Sequence, residues 1–281
     1  TGGSTSVAET GSTDTFTIVL NAQPNSDVVI AITSNDTGET TVTSSLTFTN
    51  ANWNTAQTVT VTGVDDDLVD GTISSTITVS VNDGSSDNNF DAVADQTVTA
   101  TTTDNDVAGF TIAQTGGSTS VAETGTTDTF TIVLNAQPAS DVVLSISTSD
   151  STETTVTSLL TFTNGNWNTA QTVTVTGVDD NIIDGSVNST LTISIVDAIS
   201  DNDFDSVANQ TVTATTTDND VAGFTIAQTG GSTSVAETGT TDTFTIVLNA
   251  QPDSDVVFAI TSSDTCLLYT YDAADEGLGV D

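Results

Sequence analysis

The chain repeats itself at a fixed interval of 114 residues. Trp53 returns as Trp167, Phe16 as Phe130 and Phe244, and Asp104-Asn105-Asp106 as Asp218-Asn219-Asp220, with no insertion or deletion between copies. Solenoid repeats run to roughly 20–50 residues. The interval here instead matches a compact domain of about 100–150 residues. The expected organisation is therefore a string of tandem domains: 1–108, lacking its first few residues; 109–222, complete; 223–265, truncated; and a non-repeating tail over 266–281.

The tail breaks the repeat sharply. Where the first copy continues Gly38-Glu39-Thr40, the third reads Cys266-Leu267-Leu268-Tyr269-Thr270-Tyr271-Asp272-Ala273-Ala274-Asp275-Glu276. This string resembles the conceptual translation of a transposon-based sequencing adapter, with Tyr271 the one departure. It is read as a library artefact on a metagenomic fragment rather than as a natural terminus. The chain's only Cys and both its Tyr lie in it, so no intrachain disulfide or thiolate cluster is available.

Within the complete copy, period-2 alternation and β-branched residues mark seven strands. They centre on Phe110-Thr111-Ile112 and on residues 129–134, 141–146, 158–162, 172–176, 190–195 and 210–214. Thr172-Val173-Thr174-Val175-Thr176 is the cleanest, with Val predicted inward and Thr outward. Seven short strands separated by Gly, Asn and Asp turns predict an all-β, immunoglobulin-like, antiparallel β-sandwich in each copy. The third copy holds only its first three strands. It is expected to leave an exposed, aggregation-prone edge.

Charge then limits what such domains can do. The chain carries 38 acids and no Lys, Arg or His, a formal net charge of −38. No basic patch exists for nucleic acid or anionic lipid. No histidine base, lysine Schiff base or arginine clamp is possible, so most enzyme mechanisms fall away, and the chain is read as a non-enzyme. The composition is nevertheless not that of a disordered acidic tail, because 35% of residues are apolar. No apolar run reaches transmembrane length, so no membrane insertion is expected of this fragment. Thr1 falls inside a repeat, so the chain is read as a fragment in which a missing leader says nothing.

The acids gather at strand ends. In the complete copy these are Glu123, Asp150, Asp179, Asp180, Asp184, Asp218 and Asp220. In the first copy they are Glu9, Asp36, Asp65, Asp66, Asp67, Asp70, Asp104 and Asp106. The loops after the third, fifth and seventh strands share one pole of a sandwich, so these carboxylates should converge. A convergence without any base demands a cation or raised pKa values. Oxygen-only donors favour a hard divalent ion. Calcium accepts about six to eight such ligands in flexible geometry, whereas magnesium tolerates crowded protein cages poorly. The alternative is that the acids are solvated loop residues serving solubility. Their recurrence at the same strand ends weighs against it. Asp201-Asn202-Asp203-Phe204-Asp205 begins like an EF-hand loop, but Ser206 and Val212 stand where that loop needs Gly and Glu.

The strings Ser120-Val121-Ala122-Glu123, Leu160-Thr161-Phe162-Thr163, Val173-Thr174-Val175 running into Val178-Asp179-Asp180, and Thr217-Asp218-Asn219-Asp220-Val221-Ala222-Gly223-Phe224 together resemble the Calx-β domain. That domain occurs in sodium–calcium exchangers, integrin β4 and bacterial surface proteins. The resemblance covers nearly all of each copy. It implies a seven-stranded immunoglobulin-like sandwich with calcium at one end, held by Glu123, Asp150, Asp179, Asp180, Asp184, Asp218 and Asp220, and in the first copy by Glu9, Asp36, Asp65, Asp66, Asp70, Asp104 and Asp106. The sequence departs from the family at Gly185, which follows Asp184 where a second acid is common. Asn219 interrupts the closing acidic run, and Asn181 replaces the first copy's Asp67.

The leading expectation is a calcium-stiffened structural spacer of a large bacterial cell-surface or secreted adhesin. Its partners would be calcium and, through domains outside this fragment, glycans or a host or neighbouring cell surface. One alternative is a ligand- or glycan-binding module using Trp53 and Trp167 as stacking platforms, although packing over the sandwich edge explains those residues more simply. Another is an accessory segment of a secreted enzyme. Paired Asp can serve glycoside hydrolysis, but here they recur in both copies on loops with no pocket-forming insertion.

Overall fold

A computed structural model describes residues 4–263. The suspected adapter tail from Cys266 lies outside the described residues. The first copy contains β1 Ser4–Ala8, β2 Thr13–Ile18, β3 Val28–Ser34, β4 Thr40–Val42, β5 Ser45–Phe48, β6 Gln57–Gly63, β7 Ile73–Val81 and β8 Gln96–Thr103. The second contains β9 Phe110–Gln114, β10 Thr119–Ala122, β11 Thr127–Leu134, β12 Val142–Thr148, β13 Thr154–Val156, β14 Leu159–Phe162, β15 Gln171–Gly177, β16 Val187–Ile195 and β17 Gln210–Thr217. A last pair, β18 Phe224–Gln228 and β19 Phe244–Leu248, belongs to the third copy. The described residues contain no α-helix, and thus no helix long and apolar enough to cross a membrane.

Each of the first two copies is a two-layer sandwich. In the second, the order β10-β17-β16-β12-β14 faces β13-β15-β11-β9; in the first, β1-β8-β7-β3-β5 faces β2-β6-β4. Alternation drives the packing. On β15, Val173 and Val175 are fully buried while the intervening Thr residues are not. The buried face meets Phe130, Ile132, Leu144, Phe162, Leu191 and Ile193 from the surrounding strands.

The complete copy has nine segments where the alternation predicts seven. The opening strand is split at Gly116 and Gly117, whose φ values of 71° and 84° are open to glycine at little cost. The chain there leaves the β11 edge and crosses to the other sheet, where β10 runs parallel to β17, Thr119 opposite Ala214. The sandwich is otherwise antiparallel. The three residues of β13 are the further addition; they pair Thr154–Val156 with the end of β15 and are too short to show a period.

The third copy differs from its expectation of three strands. Only β18 and β19 pair, and residues 255–260 form no strand. In the complete copy the equivalent of this segment, β12, pairs with β14 and β16. Neither of those has a counterpart among the described residues, and an isolated hairpin buries too little to order more chain.

Candidate metal centre

The acidic pole forms where β1, β3, β6 and β8 end in the first copy, and β10, β12, β15 and β17 end in the second. A close backbone approach assembles it. A Cβ on Gly63 would lie 2.1 Å from the Ala8 carbonyl oxygen, and one on Gly177 would lie 2.1 Å from that of Ala122. Only glycine lets the ends of β6 and β15 pass so near the ends of β1 and β10. Glu9 and Glu123 follow immediately and are held by backbone bonds to the carbonyls of Thr103 and Thr217, each 3.2 Å. The glutamates therefore sit beside the Asp-rich loop that leaves the glycine.

Four groups of carboxylates have oxygens within 4.8 Å of one another: Glu9, Glu39 and Asp70; Glu9, Asp104 and Asp106; Glu123, Glu153 and Asp184; and Glu123, Asp218 and Asp220. Glu9 and Glu123 each belong to two groups, so each copy carries a double cluster hinged on one glutamate. Glu9 and Glu123 are 1% exposed, Glu39 6% and Glu153 4%. Such burial of acids is expensive unless they are paired. Yet Glu9 Oε1, Glu39 Oε2, Asp70 Oδ1 and Asp106 Oδ2 have no hydrogen-bond partner, nor do Glu153 Oε2 and Asp220 Oδ2.

Backbone donors fix oxygens of Glu9, Glu123, Asp104 and Asp218. Asn105 N–H donates to Glu9 Oε2 at 3.2 Å and Asn219 N–H to Glu123 Oε2 at 3.0 Å. Gly71 N–H and Gly185 N–H donate to Asp104 and Asp218 at 2.8 and 2.9 Å. Burial first, then the neighbouring acids, pushes Glu9, Glu39 and Glu153 up to about 7, with one backbone donor opposing this at Glu9. Burial and acidic neighbours also raise Asp70, Asp106 and Asp220, and Glu123 against its Asn219 donor. The two N–H donors from Asp220 and Gly185 lower Asp218.

The sequence-derived acids do not all enter these groups. Glu9, Asp70, Asp104 and Asp106 do, as do Glu123, Asp184, Asp218 and Asp220. Asp36 and Asp150 do not. Asp36 Oδ1 accepts from Gly38 N–H at 3.1 Å, and Asp150 Oδ1 accepts from the Thr152 N–H and hydroxyl at 3.0 and 2.6 Å, so both carboxylates close their own turns. Three residues on, the chain delivers Glu39 and Glu153 in their place. Asp65, Asp66, Asp179 and Asp180 stand around the groups; Asp66 adds to the upward pressure on Glu9, and Asp179 and Asp180 to that on Asp220. Asp179 also accepts from the Asn219 amide at 2.7 Å, so the Asn that interrupts the acidic run has a local role.

Glu39 and Glu153 are the residues that sequence reading misses. They stand at the 114-residue interval, so a search for every acid preserved between copies finds them. Strand-end counting passes over them because β4 and β13 are too short to read. The EF-hand-like stretch serves structure: Asp201 accepts from Ser140 N–H at 2.7 Å and from Asp203 N–H at 3.2 Å, capping a 3-10 turn. Trp167 packs half-buried against the core.

The acidic loop also touches the following copy. Gln137 N–H donates to the Asp67 carbonyl at 2.7 Å, Val69 N–H donates to the Gln137 carbonyl at 3.1 Å, and Val69 packs against the second core. The next junction repeats the contact, with Gln251 N–H donating to the Asn181 carbonyl at 2.6 Å.

No family model matches the chain, and no curated protein matches it. Among solved structures, the crystal structure of CBD12 from CALX1.2 aligns over 68% of this chain and 77% of its own, at 15% identity and a TM-score of 0.28. The apo-form Calx CBD1 domain aligns over 40% of this chain and 98% of its own, at 15% identity and a TM-score of 0.30. Domains 4 and 5 of the S-layer protein SbsC align over 67% of this chain and 70% of their own, at 17% identity and a TM-score of 0.32. At these identities and scores the chain's own geometry, not its neighbours, carries the functional reading.

Proposed function

We propose that the chain is a run of calcium-binding structural spacer domains, 1–108, 109–222 and 223–265, from a large bacterial cell-surface or secreted adhesin. The observation that carries this is the set of buried carboxylate oxygens without partners, repeated in both sandwiches of a chain that has no basic side chain. Those oxygens fit a hard divalent cation in chemistry. Glu9, Glu39 and Asp70 would hold one ion and Glu9, Asp104 and Asp106 a second, with Asp65 and Asp66 beside them. Glu123, Glu153, Asp184, Asp218 and Asp220 would do the same in the second copy, with Asp179 and Asp180 beside them. Bound calcium supplies the positive charge that the chain lacks. Because the loop between Asp65 and Asp70 also contacts the second copy, the same ions would stiffen the junction. The medium outside a cell supplies calcium, which supports reading the protein as a surface or secreted one. The role is mechanical rather than catalytic.

Calorimetric titration of the chelator-treated protein with calcium, paired with thermal unfolding, tests the reading. Saturable binding and a higher melting temperature with calcium are expected, since a ligand of the folded state stabilises it by mass action. Identical melting in calcium and in excess chelator would remove the reading.

A further inference from the structure

A row of small side chains crosses the core of each sandwich. In the second copy Thr119 of β10 stands opposite Ala214 of β17, and Ala214 stands opposite Ser189 of β16. The three strands are neighbours in one sheet, and the three side chains share its inner face. Thr119 is 2% exposed, and Ser189 and Ala214 are 0% exposed. Thr119 Oγ1 and Ser189 Oγ have no hydrogen-bond partner. The first copy repeats the arrangement. Ala100 lies between Thr5 and Ser75, all three are buried, and both hydroxyls are unpartnered.

A buried hydroxyl without a partner is destabilising, because it has given up its bonds to water for nothing in return. The row is also the least bulky part of this face. One row nearer the acidic pole, Val121 and Val187 flank Thr216; one row further away, Val212 stands opposite Leu191. Ala214 and Ser189 fill much less of the core than those residues do. We propose that each sandwich holds an internal water-binding site on this row, with ordered water between Thr119 and Ser189 over Ala214, and between Thr5 and Ser75 over Ala100.

The chemistry fits water rather than a cation. An internal water takes about two to four hydrogen bonds from polar neighbours. Thr119 and Ser189 each offer a hydroxyl that both donates and accepts. Thr216, two residues along β17, donates to the Glu153 carbonyl at 3.3 Å and keeps lone pairs with which to accept. In the first copy Thr102 donates likewise to the Glu39 carbonyl at 3.4 Å. The row itself contains no carboxylate, and the core around it is apolar. The site is therefore separate from the acidic groups, and the inference does not rest on calcium binding. Its effect is on strand association. β10 and β16 lie on opposite sides of β17, so water held between them joins two strands that no backbone ladder joins. One of the two, β10, is the strand that leads directly into Glu123.

Oxygen-17 relaxation dispersion of the full chain tests this by counting long-lived internal waters, in chelator so that no cation-bound water contributes. Thr119→Val combined with Ser189→Ala removes both hydroxyls of the second sandwich and little bulk. It should lose the contribution of at least one such water, and an unchanged dispersion overturns the proposal. A wild type that shows no long-lived water overturns it without any variant. Urea unfolding gives a second readout. The chain has two Trp, so in a Trp53→Phe background Trp167 fluorescence follows the second sandwich alone. Each single change should lower the urea midpoint, because it takes a partner from a water that stays. The double variant should lower it by less than the sum of the two, because the water then leaves with both partners. Single changes that leave or raise the midpoint, or losses that simply add, mean hydroxyls that share no water and overturn the proposal as well.

Discussion

At the residue scale, the acids separate into those whose oxygens are satisfied and those whose oxygens are not. Asp150 spends its carboxylate on Thr152, whereas Glu153 is buried with one oxygen unpartnered. Glu153→Gln and Glu123→Gln should therefore weaken calcium binding by the second copy roughly tenfold or more, about 1.4 kcal/mol per tenfold, while Asp150→Asn changes it little; calorimetric titration reads the difference. Titration of the same groups gives the pH dependence. Glu9, Glu39 and Glu153 move from the usual 4.5 to about 7 in the folded, ion-free protein. Between those values the folded state holds protons that the unfolded chain has released, so stability falls as pH rises from about 4.5 to about 7 and stays low above it. Thermal melts in chelator should thus show a lower melting temperature at pH 7.5 than at pH 5, and calcium should restore it most at the higher pH. Below this window the sign reverses. The carboxyl of Asp87 is lowered by N–H donors from Asn89 and Asn25, and it loses that stabilisation as it protonates.

At the element scale, strand ends matter as much as strand interiors. Gly177 ends β15 against the Ala122 carbonyl, and Gly177→Ala must drive the two apart. A cost of about 1–3 kcal/mol is expected, as for overpacking. Calcium affinity should fall with it, because Glu123 follows Ala122 directly; urea unfolding and calorimetry measure the two effects. The edge strand β9 makes a separate contrast between the copies. Phe130 lies beneath it and is fully buried, so Phe130→Ala should cost about 3–5 kcal/mol. Phe16→Ala, at a ring that is only partly buried in this chain, should cost clearly less. Denaturant unfolding of the two variants compares them, and equal costs would mean that β9 does not determine the burial of this face.

For the whole molecule, one sign of charge must be managed without internal partners. Without divalent ions, self-repulsion opposes the compact state and monovalent salt screens it. The melting temperature in chelator should therefore climb with sodium chloride, and it should climb much less once calcium is bound. Much of this architecture is legible in the sequence. The 114-residue interval gives the copies, and the Thr-Val alternation in residues such as Thr172-Val173-Thr174 gives buried and exposed faces, because side-chain period and repeat length are properties of the chain itself. The absence of Lys, Arg and His likewise leaves no basic side chain to meet a phosphate, a fact read before any fold is known. The sequence does not reveal that Glu39 and Glu153, rather than Asp36 and Asp150, turn into the pole. That choice depends on a local turn that uses up the aspartate and on neighbouring strands that bury the glutamate. Nor does it reveal that Gly116-Gly117 moves the opening strand between sheets. Burial and unpartnered oxygens depend on what lies across space, and only the tertiary structure brings residues such as Glu9 and Asp104, far apart in the chain, within reach of one ion.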